Sequence, residues 1–178
     1  MTSPARPILG ISMGDPGGIG PEICAKALSL AEIYDLCRPL VVGDAAVMAD
    51  AVRFSKLPLA VHRVSEPENG LYSRGTVDVL DLANLPMEKL RHKQVTPEQG
   101  KASFEYVARV IELALAGRIH GTVTCPINKA ALNAGGFHFA GHTEIYAELT
   151  KTKDYAMMLA EGNFRVVHVS THVSLREA

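Results

Sequence analysis

Apolar runs in this chain are short, and most are followed by glycine, proline or a capping residue and then by apolar positions at helical spacing. Pro7 to Met13 (Pro-Ile-Leu-Gly-Ile-Ser-Met) predicts a first, buried strand. Gly14 to Gly20 is a loop with four glycines, after which Pro21 takes the first helical position with Glu22 beside it. Ile23, Ala27 and Leu30 fall on one face, which predicts a helix from Pro21 to Leu30. Leu40 to Gly43 reads as a second strand, and Asp44 as the cap of a helix through Phe54. Leu59 to Val64 gives a third strand and Val77 to Leu82 another, inside a less regular stretch from 65 to 95. Thr96-Pro97-Glu98-Gln99 is a capping box opening a helix whose stripe is Phe104, Val107, Ile111, Ala114 and Leu115 and which ends at Gly117. Thr122 to Cys125 predicts a buried strand stopped by Pro126. Asn128 caps a short helix from Lys129 to Asn133, closed by Gly135 and Gly136, and a further helix starts near Thr143. Tyr155 to Leu159 and Arg165 to Val169 are β-prone.

Strands alternating with helices predict an α/β fold with a mostly parallel sheet and helices on its faces. Ligands of such sheets collect at the carboxyl ends of the strands. The Gly14 loop, the Cys125-Pro126 turn and Thr171-His172 each follow a strand directly, so they are expected along one edge.

Composition narrows the classes. Hydrophobic residues make up 47% and charged ones 21%, as in a folded globular chain. A net charge of −1 leaves no footprint for nucleic acid or an anionic membrane. No apolar run reaches the ~20 residues of a membrane span. Cys24, Cys37 and Cys125 show neither metal spacing nor a disulfide framework, which fits a reducing cytoplasm and small core residues. The 178 residues suit one domain, or one and part of another. A helix just getting under way at Arg176-Glu177-Ala178 reads as part of a longer protein.

The candidate chemistry gathers at Gly141-His142-Thr143-Glu144. A helix mouth there offers unpaired amides, an imidazole and a hydroxyl to a phosphate or carboxylate; the plainer alternative is a capped helix start. The Gly14 loop has the strand–turn–helix form of a phosphate loop, but matches neither the dinucleotide fingerprint nor the Walker loop, and a tight turn is the alternative. His62, His92 and His120 have no acidic partner at useful sequence spacing. His138, between two phenylalanines, reads as packed, and His168 as a satisfied core histidine. His172, just past a strand end, suits a metal ligand or a general acid.

Three stretches together carry a resemblance. Met13-Gly14-Asp15-Pro16-Gly17-Gly18-Ile19-Gly20-Pro21-Glu22, Cys125-Pro126-Ile127-Asn128-Lys129 and Gly141-His142-Thr143-Glu144 resemble the 4-hydroxythreonine-4-phosphate dehydrogenases of the PdxA family. Val169-Ser170-Thr171-His172 with Leu175-Arg176 is similar to a further family segment. Gly17, where many members carry alanine, and Cys125, often alanine or glycine, depart from the pattern by small swaps. The resemblance implies an isocitrate/isopropylmalate dehydrogenase-like fold with two domains across a cleft, residues 1–127 forming most of the first and 128–178 beginning the second. It implies NAD- or NADP-dependent oxidation of the 3-hydroxyl of 4-phosphohydroxy-L-threonine, followed by decarboxylation, on the way to pyridoxal 5'-phosphate. A divalent cation (Zn, Mg, Co or Mn) would hold the hydroxyl. By the same resemblance His142 and Thr143 bind substrate, His172 is one of three metal-ligating histidines, and the enzyme is a cytoplasmic homodimer with its active site at the subunit boundary. Paralogues that oxidise 4-phospho-D-threonate, 4-phospho-D-erythronate or a cis-diol share these motifs. From a different class, the rival is a non-catalytic phosphometabolite-binding module.

Overall fold

The computed structural model describes residues 6–170 and 173–178. Strands β1 (Ile8–Ser12), β2 (Arg38–Gly43), β3 (Ala60–Val64), β4 (Thr76–Asp81) and β5 (Gly121–Thr124) form one parallel sheet in the order β3-β4-β2-β1-β5. Helices α1 (Gly20–Leu28), α2 (Ala31–Leu36), α3 (Ala45–Phe54) and α4 (Pro97–Leu115) lie in the crossovers, and α5 (Lys129–Ala134) and α6 (His142–Thr150) follow β5. The expected mostly parallel α/β sheet with flanking helices is therefore present. Parallel strands are joined by crossovers that cover both sheet faces. In β2, Val41 packs with Leu28, Met48 and Ala51, while Leu40 and Val42 pack with Val110 and Leu113 of α4. The last two strands, β6 (Met158–Glu161) and β7 (Phe164–Val167), form an antiparallel hairpin separate from that sheet, and both are exposed along their length.

Local signals placed the helices better than they oriented them. Asp44 caps α3 through Ala46 N (2.9 Å) and Val47 N (3.2 Å), as its position predicts. In α1 the buried face is Cys24, Ala25 and Leu28, whereas Ile23 and Leu30 are 40% and 49% exposed. Small residues let this helix lie close to the sheet, a preference that a search for large apolar residues overlooks. The Ser29 hydroxyl donates back to the Lys26 carbonyl (2.7 Å) and Leu30 turns extended, so α1 stops early and the unanticipated α2 begins. Only half of the capping box forms. Thr96 Oγ1 accepts from Gln99 N (3.3 Å), but the buried Gln99 amide accepts from Arg91 N (2.6 Å) and donates to the Gln94 carbonyl (2.9 Å), bracing the preceding loop. The buried side of α4 includes Tyr106, Val107, Val110 and Ile111, and Leu115, read as part of the stripe, is exposed. β5 was read as buried; it lies at the sheet edge, and Val123 and Thr124 are exposed.

His62 has an acidic partner after all. The parallel register sets it beside Asp78, whose carboxylate meets His62 Nδ1 at 2.7 Å and accepts from Leu71 N (3.0 Å) and Tyr72 N (2.7 Å). Asp78 is 1% exposed, so truncation strands the buried Tyr72 amide and takes the partner from Leu71 N and His62. We expect Asp78→Ala to cost about 3–5 kcal/mol, read as a lower urea midpoint at unchanged slope.

Candidate functional site

The carboxyl edge of the sheet is built by contacts between the loop after β1 and the turn after β5. Met13 N donates to the Val42 carbonyl (3.0 Å), Cys125 N to Ser12 O (3.0 Å) and Asp15 N to Pro126 O (2.9 Å). Gly14 sits at φ +77°, and a Cβ there would overlap the Pro126 carbonyl and lie 2.9 Å from the Cys125 carbonyl carbon. Only glycine permits this backbone course and this approach. The buried Asp15 accepts from Gly17 N (3.0 Å) and so holds the loop from within. Burial raises its pKa, and the Gly17 amide works against that rise. Two of the three stretches expected at this edge thus meet. The third, Thr171-His172, lies outside the described residues.

Beyond the turn, Asn128 Oδ1 caps α5 through Ala131 N (3.0 Å). Phe137 and Phe139 stack on Phe104 of α4, with ring centroids 3.8 and 5.9 Å away. These stacks leave His138, read as packed, exposed. They also place Gly141 at the mouth of α6, which Ile145, fully buried, anchors against Val107 and Ile111. Gly141 gives no side-chain cap to the helix. His142 is half-buried, and its Nε2 is shielded from solvent without a hydrogen-bond partner among the described residues. Such an atom is costly unless a ligand or water completes it.

Burial pushes the His142 pKa below its ordinary value of 6.5. The imidazole is therefore neutral near pH 7. Between the folded value and 6.5 the unfolded chain binds more protons, so stability contributed by this group falls as pH falls through that window. An NMR titration of the unliganded protein is expected to give His142 a pKa below 6.5, rising when an anion occupies the helix mouth.

Gly141, Thr143 and Glu144 line a cavity of about 920 Å³ together with Lys153, His168 and Ser170. Of the two residues expected to bind substrate, Thr143 lines this cavity, whereas the His142 ring lies beside it rather than in its wall. His168 is not a core residue: it is half-buried, follows β7, and its amide donates to the Met157 carbonyl (3.0 Å). Lys153 carries no signal in the sequence because it lies in a polar run, and His168 reads there as a core histidine because its run is apolar. The signal that could have found His168 is its place just past a strand end, the argument applied to His172. Two other histidines also have partners that sequence spacing hides. His92 Nε2 lies 3.0 Å from Asp50, and His120 Nδ1 accepts from Ile8 N (3.1 Å). A second cavity, about 630 Å³, flanks the glycine-rich loop and is lined by Ile19, Asp50, Phe54 and His92 among others. Among the described residues, no group of three or more His, Cys, Asp or Glu side chains could hold a metal ion.

A parallel sheet with a glycine-rich loop and a βα turn locked together at its carboxyl edge, and a helix beyond that Gly141 leaves without a side-chain cap, defines an α/β protein whose candidate site lies past the strand ends. Residues 35–178 match the family described as "Pyridoxal phosphate biosynthetic protein PdxA". The chain is 47% identical, over 97% of its length and 52% of the relative's, to a "Putative D-threonate 4-phosphate dehydrogenase" of Symbiobacterium thermophilum. It is 44% identical, over 96% of its length and 50% of the relative's, to a 4-hydroxythreonine-4-phosphate dehydrogenase of Desulfosudis oleivorans. Among solved structures, a 4-hydroxythreonine-4-phosphate dehydrogenase from Burkholderia phymatum superposes with a TM-score of 0.90 at 38% identity, over 97% of this chain and 52% of that one. The chain belongs to the PdxA family, and it spans about half the length of the relatives it matches.

Proposed function

We propose that the protein is a dehydrogenase that oxidises a secondary hydroxyl of a phosphorylated hydroxy acid with NAD or NADP as hydride acceptor. The observation that carries this reading is the mouth of α6, where Gly141 offers no side-chain cap and where, beside Thr143, the shielded His142 Nε2 has no hydrogen-bond partner among the described residues. In this reading the α6 amides, Thr143 and His142 hold an anionic group of the substrate, and the locked Gly14 loop and Pro126 turn keep the carboxyl edge of the sheet rigid. Lys153 and His168, which line the same cavity, add further donors toward the same anion.

A divalent cation belongs to the proposal, with His172 as one ligand. Among the described residues, no group of three or more His, Cys, Asp or Glu side chains completes the ligand set. When bound, the nicotinamide supplies the hydride chemistry; this chain's part is to grip and orient substrate and to shield it from water. The division into a first domain at 1–127 and a second from 128, facing each other across a cleft, is part of the same reading. So is a homodimer with its active site at the subunit boundary. The exposed apolar side chains of the β6–β7 hairpin, Met158, Leu159, Phe164 and Val167 among them, support such a contact.

4-Phosphohydroxy-L-threonine and 4-phospho-D-threonate are the two substrates to try first, each favoured by a relative of similar identity. Steady-state NADH or NADPH formation is measured with both, with 4-phospho-D-erythronate, with the dephosphorylated acids and with a cis-diol. Turnover of a phosphorylated acid well above its dephosphorylated form is expected. Turnover of the diol alone overturns the phosphate reading, and substrate binding without any turnover favours a binding module.

A further inference from the structure

Cys24 on α1 and Cys125 after β5 lie 101 positions apart in sequence, yet their sulfurs are 3.4 Å apart. Both are free thiols, 2% and 5% exposed, and the pair sits under the glycine-rich loop. A Cβ at Gly20 would touch Cys125 Cβ at 3.4 Å, and the Gly14 backbone packs on the Cys125 carbonyl. The third cysteine, Cys37, points elsewhere and donates to the Ile33 carbonyl (3.4 Å).

We propose that Cys24 and Cys125 form a reversible disulfide site, oxidised by a small peroxide, that fastens α1 to the turn after β5. Two sulfurs already this close need only a small approach to reach the S–S bond length of about 2.05 Å. The pair does not ionise evenly. A hydrogen bond from Cys24 pulls the Cys125 pKa down, while the same contact and burial push that of Cys24 up. Cys125 is therefore the first nucleophile. Its thiolate attacks one oxygen of hydrogen peroxide, the O–O bond breaks, and hydroxide leaves as Cys125 becomes a sulfenic acid. The Cys24 sulfur then attacks the Cys125 sulfur, forming S–S and breaking the S–O bond; the departing hydroxide takes the Cys24 proton, and the hydroxide released in the first step takes the proton lost by Cys125. Two thiols and one peroxide yield one disulfide and two waters. A buried pair reacts faster with a small oxidant than with a bulky one, because both must enter through local opening.

The bond would brace the carboxyl edge of the sheet where the Gly14 loop meets the turn after β5. Asp15 N already bonds Pro126 O, so in an oxidised protein the turn is held to the loop by that hydrogen bond and to α1, the helix that follows the loop, by a covalent bond. Separation of these two segments is then suppressed until a thiol reductant reopens the bond.

The test is differential alkylation with peptide mapping of the full natural protein before and after hydrogen peroxide. Excess peroxide is removed, and the protein is unfolded and alkylated. Cys24 and Cys125 are expected to lose alkylation together, with a Cys24–Cys125 linked peptide recovered and Cys37 still alkylated. Dithiothreitol should restore both sites. In Cys24→Ser, the linked peptide should vanish and dimedone should label Cys125; circular dichroism confirms that this variant is folded. Should Cys24→Ser fail to fold, Cys125→Ala, the smaller change, serves for loss of the linked peptide. Full alkylation of both cysteines after peroxide, oxidation to sulfinate without a link, or a link that involves Cys37 overturns the proposal.

Discussion

Gly100→Ala is expected to lose at least about 3 kcal/mol of stability, although alanine is the better helix former by about 1 kcal/mol. The reason is the crossing of α4 and α5, where the two backbones touch. A Cβ on Gly100 would overlap the carbonyl of Ala131 and lie 2.8 Å from Leu132 N. Gly135 mirrors this contact, since a Cβ there would lie 2.8 Å from Lys101 N and 2.9 Å from Pro97 O. Backbone cannot swing aside as a flexible side chain can, so α5 must move off α4. It then drags the Phe137–Phe139 segment and the mouth of α6 with it. Urea unfolding measures the loss. Glu112→Ala, on the exposed side of the same helix, should change stability by no more than about 0.5 kcal/mol. A Gly100→Ala protein as stable as the parent would mean that the crossing is looser than this packing requires.

His142→Ala is expected to lower kcat/KM by about 10–200-fold, mainly through KM, because one hydrogen bond to a charged group is worth roughly 1.5–3 kcal/mol. Metal content should not change. Thr143→Val keeps the shape and removes the hydroxyl, so it should act as a milder version of the same change. His172→Ala should behave differently in the natural full-length protein. If His172 ligates the cation, its loss lowers bound metal and kcat together. Metal analysis alongside steady-state kinetics separates the two classes. Full metal occupancy and near-normal kcat in His172→Ala would remove the metal role. An unchanged KM in His142→Ala would remove the anion grip.

The sheet was legible in the sequence because its strands are short β-prone runs, apolar in β1 and β2, and several helices begin with a local signal. Asp44, Thr96 and Asn128 each cap as their positions predict. The helix faces were harder to read, since α1 turns small residues rather than Ile23 toward the sheet. Edge position was hidden too: nothing in Thr122 to Cys125 says that β5 has a neighbour on one side only. The glycine-rich loop and the helix mouth could be seen as motifs, yet their neighbours could not. Asp78 beside His62, Asp50 beside His92, and Cys24 beside Cys125 are made by register and packing between distant segments. Lys153 and His168 likewise reach the cavity through chain course rather than through spacing.

The most direct measurement of the central claim is a crystal structure of the full natural protein with its phosphorylated hydroxy acid bound. The account predicts an anionic group of the substrate at the mouth of α6, within hydrogen-bond distance of the α6 amides, Thr143 Oγ1 and His142 Nε2. A substrate bound elsewhere, with the α6 mouth holding only water and the His142 ring still unpartnered, would contradict it.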